Sequence, residues 1–296
     1  MVPSGKASRI KELLVISGKG GTGKTTVLGS FAALSQQAVL VDCDVDAANL
    51  YLLLDPDITG TVDFHGLPQP RTVQEKCRSC SVCTEVCRFG AIQSGRIDYY
   101  ACECCGVCIR ACPHGAIVFA QVVRGQWFTA NTQYGPLVYA RLHPGEENSG
   151  LLVAEVKKRA REVAKETNRH IILTDGPPGI GCPVISSLAA VDLVLIVTEP
   201  TVSGWHDLQR TIELTQRFQT HLVVCINKYD ICIDLTNEIT DQCRAAGMRV
   251  IGRIPFDEKV AAAMSAGKPV VGSSGKAATA IRGLWSQVSA ELQAIE

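Results

Sequence analysis

The chain has 296 residues, enough for one large α/β domain and a small module. Hydrophobic residues are 46% and charged residues 20%, a soluble globular profile, and the formal net charge of zero gives no whole-chain attraction to nucleic acid or to an anionic membrane. The opening MVPSGKASRIKELLVIS lacks the parts of a signal peptide, and no apolar run reaches the ~18–20 residues that span a bilayer, so no membrane span and a cytoplasmic location are expected.

Residues 10–17 read as a strand that ends in a Gly-rich turn. Lys24–Gln36 reads as a helix and Ala38–Asp42 as a second strand. Both strands are nearly continuous apolar runs, as in a parallel sheet covered on both faces. Residues 55–75, rich in Pro, Gly and Thr, break the pattern, and a block of cysteines follows. Within 117–142, three apolar stretches are expected to be short strands that close a module and lead back to the core. The rhythm resumes with a helix at Leu151–Asn168 and a strand at His170–Asp175. Further strands are expected at Asp192–Thr198, His221–Asn227 and Arg249–Ile254, with helices at 205–219, 235–246, 257–266 and 277–294. This alternation predicts an α/β fold with a doubly wound, mainly parallel sheet. The expected domains are a nucleotide core over 1–64, an inserted module over 65–125, and the rest of the core over 126–296.

Gly18-Lys19-Gly20-Gly21-Thr22-Gly23-Lys24-Thr25 satisfies G-x4-G-K-[ST] between a strand and a helix, which is the setting of a phosphate-binding loop. Its glycines let backbone N–H groups converge on phosphate oxygens, and the helix N-terminus adds its dipole. Lys24 is expected to reach the β- and γ-phosphates and the Thr25 hydroxyl to hold Mg2+, with Thr26 next in the loop. Phosphoryl transfer asks for positioned charge, a metal and a placed water. Asp42 and Asp44 follow the second strand, and Asp175 follows Ile-Ile-Leu-Thr. Alone, each of these motifs also reads as a cap or a tight turn.

Nine of the fourteen cysteines lie between Cys77 and Cys112. In a chain of this size without an export signal, that density reads as metal binding in a reducing compartment rather than as a disulfide scaffold. Cys77, Cys80, Cys83 and Cys87 follow C-x2-C-x2-C-x3-C; Cys102, Cys105, Cys108 and Cys112 repeat it and end in Pro113. This is the two-cluster ferredoxin spacing, in which the fourth cysteine of each run serves the other cluster. Cluster one is expected on Cys77, Cys80, Cys83 and Cys112, and cluster two on Cys87, Cys102, Cys105 and Cys108. Paired zinc sites are the alternative and would not need this interleaving. Cys104 fits no ligand slot and is expected to be a small buried side chain. Residues 71–124 carry a net +3, suited to an acidic redox partner or to offsetting anionic clusters.

With its second lysine, KGGTGKTT resembles the deviant Walker A loop of the MinD/ParA family. The resemblance implies that Lys19 reaches a partner's nucleotide across an ATP-dependent dimer, formed with a second copy or a paralogue. It further implies that Asp44 orients or deprotonates the attacking water, that Asp42 lies near Mg2+, and that Asp175 in Asp-Gly-Pro-Pro-Gly binds Mg2+ through water. Asn227-Lys228-Tyr229-Asp230 also reads as the guanine-recognising N-K-x-D. In the resembled family an Asn here meets adenine, helped by a later Ile-Pro such as Ile254-Pro255. ATP is favoured, with GTP left open. Cys182 stands at an offset from Asp175 similar to a cluster-ligating cysteine of the nitrogenase iron protein, so it is a candidate interface ligand or a small buried residue. The C-terminal C-x-x-C of Mrp-type carriers is absent.

The whole chain resembles MinD-superfamily ATPases with an inserted ferredoxin domain. That resemblance implies an ATPase with Mg2+ and two [4Fe–4S] clusters. Three roles follow: nucleotide-gated electron transfer with a protein redox partner, cluster assembly or delivery to an apo-acceptor, or a redox-sensing positioning ATPase.

Overall fold

The computed structural model describes residues 9–35, 37–146 and 149–295; Gln36, the expected end of the first helix, and most of the opening segment lie outside them. The chain forms two compact units, one of residues 1–62, 126–142 and 149–296, the other of 63–125 and 143–148.

The first unit opens with β1 (Lys11–Ser17), α1 (Lys24–Ser35), β2 (Ala38–Asp42) and a short α2 (Tyr51–Leu54), followed by β3 (Asp57–His65), in which the chain passes to the second unit. There β4 (Gln69–Thr72), α3 (Val82–Val86), β5 (Ile92–Gln93), β6 (Arg96–Ile97), α4 (Val107–Ala111) and β7 (Ile117–Ala120) follow. The chain returns along β8 (Val123–Thr132) to β9 (Gly135–Leu142), α5 (Ser149–Glu166), β10 (Ile171–Pro178), α6 (Cys182–Leu188), β11 (Leu193–Thr198) and α7 (Val202–Gln216). β12 (His221–Asn227), α8 (Ile233–Ala245), β13 (Arg249–Ile254), α9 (Glu258–Ser265) and α10 (Lys276–Ala294) complete it.

Nine strands form one sheet in the order β13-β12-β11-β1-β10-β2-β9-β8-β3. β1 pairs in parallel with β10 and β11, and the parallel pairing continues from β10 to β2, from β2 to β9, and from β11 through β12 to β13. Side chains alternate between its faces. Leu13 and Val15 of β1 join Phe31, Leu40, Leu173 and Ile281 on the face covered by α1 and α10. Leu14 and Ile16 join Val184, Val194, Leu208 and Ile239 on the face covered by α6, α7 and α8. Two buried faces explain why these strands read as unbroken apolar runs.

Three differences from expectation concern the sheet edge. Residues 55–75 contain a strand, β3, whose side chains are mostly exposed and whose polar sequence carries no periodic signal. β8 and β9 belong to the large sheet and do not close the module, whereas β7 pairs antiparallel with β4 in the second unit. The excursion therefore leaves after the third strand of the chain, not the second. α6 is also a helix that the sequence did not announce, because it is short and starts at Cys182-Pro183.

α5 buries Leu152, Val156, Ala160 and Val163 along one stripe. It stops where Asn168 turns left-handed (φ 51°), with the Arg169 N–H on the Ala164 carbonyl at 2.8 Å. Lys157 of α5 is 5% exposed and is paired with buried Glu12 at 2.9 Å. Its ammonium also donates to the carbonyls of Ser187 and Ala189 at the end of α6. This arrangement satisfies a buried charge and fixes the C-terminal end of the helix that begins at Cys182.

Candidate functional site

The phosphate loop connects β1 to α1 at the C-terminal edge of the parallel strands, where open α/β sheets bind ligands. Gly23 has φ +95°, and a Cβ there would lie 2.4 Å from Asn227 Nδ2. A Cβ on Gly18 would strike the backbone of Asp207 in α7. Both glycines therefore permit close packing as well as the turn. Lys24, the first residue of α1, is 5% exposed.

Thr25 Oγ1 donates to Asp175 Oδ2 at 2.6 Å, which brings the loop and the end of β10 together. Asp175 is fully buried, and its Oδ1 has no partner. A buried, half-satisfied carboxylate beside a threonine hydroxyl is the donor chemistry of an Mg2+ site. Burial pushes the Asp175 carboxyl up to about 7, partly offset by Lys24. Asp42 pairs in register with Asp175 across the strands. Burial and that neighbour push it well above the usual carboxylate range. Its Oδ1 accepts the Asp44 N–H at 3.0 Å, and its Oδ2 accepts those of Asn49 and Leu50 at 3.1 and 3.0 Å. Asp42 thus organises the segment after β2. Asp44 is half-buried, pushed up by burial and drawn down by Lys24.

At the base end, Asn227 Nδ2 donates to the Thr22 carbonyl at 2.8 Å, and its Oδ1 accepts the Lys228 N–H at 3.0 Å. A cavity of about 510 Å3 is lined by Gly21, Gly23, Thr26, Asn227, Lys228 and Ile254. Ile254, of the expected Ile254-Pro255 pair, ends β13 and lines this cavity. Asp230, the acid of N-K-x-D, is already engaged: its Oδ1 takes the Phe256 N–H at 2.6 Å and its Oδ2 takes Lys276 at 3.2 Å. These bonds, the Phe256 N–H first, hold its carboxyl below the usual range.

Lys19 is turned onto its own chain. Its ammonium donates to Thr201 Oγ1 at 3.2 Å and Ser203 Oγ at 3.1 Å, and lies 3.8 Å from Glu199 Oε2. Glu199 also pairs with Lys228 at 2.5 Å, and Thr201 caps α7 through the Gly204 N–H. Sequence reading missed Glu199, Thr201 and Ser203. Their only signal was a position just past β11 at the same sheet edge.

In the second unit the eight motif cysteines divide between two cavities. One is lined by Cys77, Cys80, Cys83 and Cys112. The other is lined by Cys87, Cys102, Cys105 and Cys108. All fourteen cysteines are free. Among the described residues no three His, Cys, Asp or Glu side chains converge as a single metal ion requires. Cys104 is half-buried rather than buried and leans on the Cys102 carbonyl. Cys182 is exposed, so it is not the small buried residue of the alternative reading.

Residues 13–270 match the CobQ/CobB/MinD/ParA nucleotide binding domain. The chain belongs to that family. An uncharacterized protein of Methanocaldococcus jannaschii is 36% identical over 222 residues, 74% of this chain and 78% of its own. The septum site-determining protein MinD of Pyrococcus horikoshii, solved with Mg-ADP, superimposes with a TM-score of 0.58 at 18% identity, covering 94% of this chain and 96% of MinD. A Cyanothece McdA(D38A)–ATP complex gives 0.60 at 16% identity, covering 97% of each chain. As a MinD/ParA-type P-loop protein the chain is a nucleoside triphosphate hydrolase, for which ATP and Mg2+ are the expected ligands. No helix among its described residues is long and apolar enough to cross a membrane.

Proposed function

We propose that this chain is a cytoplasmic Mg-ATPase that pairs with a second copy or a paralogue. In this reading it couples ATP binding and hydrolysis to electron transfer through two [4Fe–4S] clusters in its cysteine unit. The observation that carries the reading is the partition of thiols between the cavities. Each cavity takes three cysteines from one run and the fourth from the other, as cluster interleaving requires. The residues fit the group: each cavity offers four free thiols, and the Ala116 N–H donates to Cys112 Sγ at 3.3 Å. Bound there, the clusters would supply one-electron storage.

The chain's own residues do the rest. Lys24 neutralises the β- and γ-phosphates, with backbone N–H groups of residues 18–26 around them. Thr25 would hold Mg2+, with Asp175 through water and Asp42 beside it, while Asp42 keeps Asp44 in place to orient the attacking water. Asn227 and Lys228 frame the base, with Pro255 behind Ile254. Asp230 is committed to Phe256 and Lys276 and so is not offered to guanine, which supports ATP over GTP. Lys19 must leave Glu199, Thr201 and Ser203 to serve a partner's nucleotide.

A second reading, cluster delivery to an apo-acceptor, is favoured by the exposure of Cys182 at the start of α6, where two copies could share a bridging cluster. A reductive titration of the anaerobically reconstituted chain, followed by EPR with and without a non-hydrolysable ATP analogue, tests the main reading. It expects eight irons per chain and potentials that shift with nucleotide. Clusters indifferent to nucleotide would leave delivery as the better account.

A further inference from the structure

The two cysteine cavities are built from repeats offset by 25 residues, as Cys77 is from Cys102. The backbone follows the repeat: Ser79 and Cys104 have φ of 52° and 51°, and Ser81 and Gly106 have 64° and 74°. Near-equal frames make the side-chain differences stand out. At the position after the first cysteine, one cavity has Arg78 and the other has Glu103. Two residues after the last cysteine of each run, the first cavity has His114 and the second has Phe89. Both side chains are exposed, and neither belongs to an ion pair among the described residues.

Reduction adds a negative charge to a cluster. A nearby cation favours that state and a nearby anion opposes it. Hydrogen bonds to ligand sulfur act in the same direction as the cation. In the Arg78 cavity the Ala116 N–H donates such a bond to Cys112 Sγ at 3.3 Å.

We propose that Arg78 and Glu103 make the two cluster sites unequal, with the Cys77–Cys80–Cys83–Cys112 site at the higher potential and the Cys87–Cys102–Cys105–Cys108 site at the lower. This rests on the iron–sulfur reading above. One electron taken from an external one-electron donor leaves that donor oxidised by one unit. At equilibrium the electron resides at the Arg78 site, and the Glu103 site is left oxidised. Arg78 and Glu103 are positioning residues here, acting on the cluster field rather than ligating iron.

The test uses the full chain, reconstituted anaerobically with iron and sulfide and titrated potentiometrically under EPR. The wild type should show two one-electron waves. Arg78→Gln should move only the upper wave, to more negative potential; Arg78→Lys should leave it in place. Glu103→Gln should move only the lower wave, to more positive potential. Coincident waves in the wild type, a lower wave that follows Arg78→Gln, or no movement in either variant overturns the proposal. If Arg78→Gln fails to hold iron, Glu103→Gln decides alone: the lower wave rises or the idea falls. Iron content keeps the failures apart. A wild-type chain that takes up no iron refutes the function proposed above, whereas eight irons with unresponsive waves refute only this assignment.

Discussion

The two units stand on different foundations. The nucleotide unit encloses both faces of the central parallel strands of its sheet in apolar side chains, and its candidate ligand site lies at their C-terminal edge. In the cysteine unit, one cluster of buried side chains consists of Cys83, Ile92 and Ile117, and it packs against Cys87, Cys108 and Cys112. A unit of that size seldom holds itself together by apolar burial alone. The contrast teaches that ATP binds to a fold that already exists, whereas in the proposed reading iron–sulfur binding is part of folding.

The sharpest way to break this contrast is to strip iron. Hydrogen exchange should then show amides of residues 63–125 losing protection while β1, β2 and β10 keep theirs; equal protection in both units would end the comparison. Next in size is Lys24→Ala, which should lower ATP hydrolysis by about 10^2–10^3-fold or more, as loss of a preorganised transition-state charge does. Iron content measured in the same sample should not change.

A smaller effect concerns pH. The Asp175 carboxyl stands at about 7 in the metal-free fold, above its ordinary value of 3.8. The folded state therefore binds the extra proton between those values, and the metal-free chain loses stability as pH rises through 7. Mg2+ competes with that proton. Calorimetry should show apparent Mg-nucleotide affinity weakening by up to about tenfold per unit as pH falls below 7, and a flat profile from pH 5 to 8 would count against Asp175 as the metal carboxylate. The smallest effect is expected from Asp230→Asn. Because that carboxylate is engaged with Phe256 and Lys276, the ATP-over-GTP preference in a competition assay should change by less than about threefold, in line with a role outside base contact.

Much of the architecture was legible. β2 and β12 begin and end where their apolar runs do, because strands buried on both faces carry an unmistakable composition. β3 was illegible for the converse reason: DITGTVDFH is polar and Gly-containing, and only its neighbour β8 makes it a strand. In the site, the loop and Asp175 were legible because the motif has a mechanism. The posture of Lys19 was not, since its partners lie some 180 residues away and only the fold brings them near. Asp230 shows the limit of motif reading, because N-K-x-D names the residues but not what the acid touches.

β3 and β8 lie side by side in the sheet, tied by the Thr59 hydroxyl on the Thr129 carbonyl at 3.1 Å. Seen from the nucleotide core, everything between them amounts to an overgrown hairpin loop. Closing such a loop costs entropy that grows only with the logarithm of its length, about 0.6 kcal/mol per doubling. The nucleotide unit therefore accommodates the whole excursion between β3 and β8 at a small cost in loop-closure entropy.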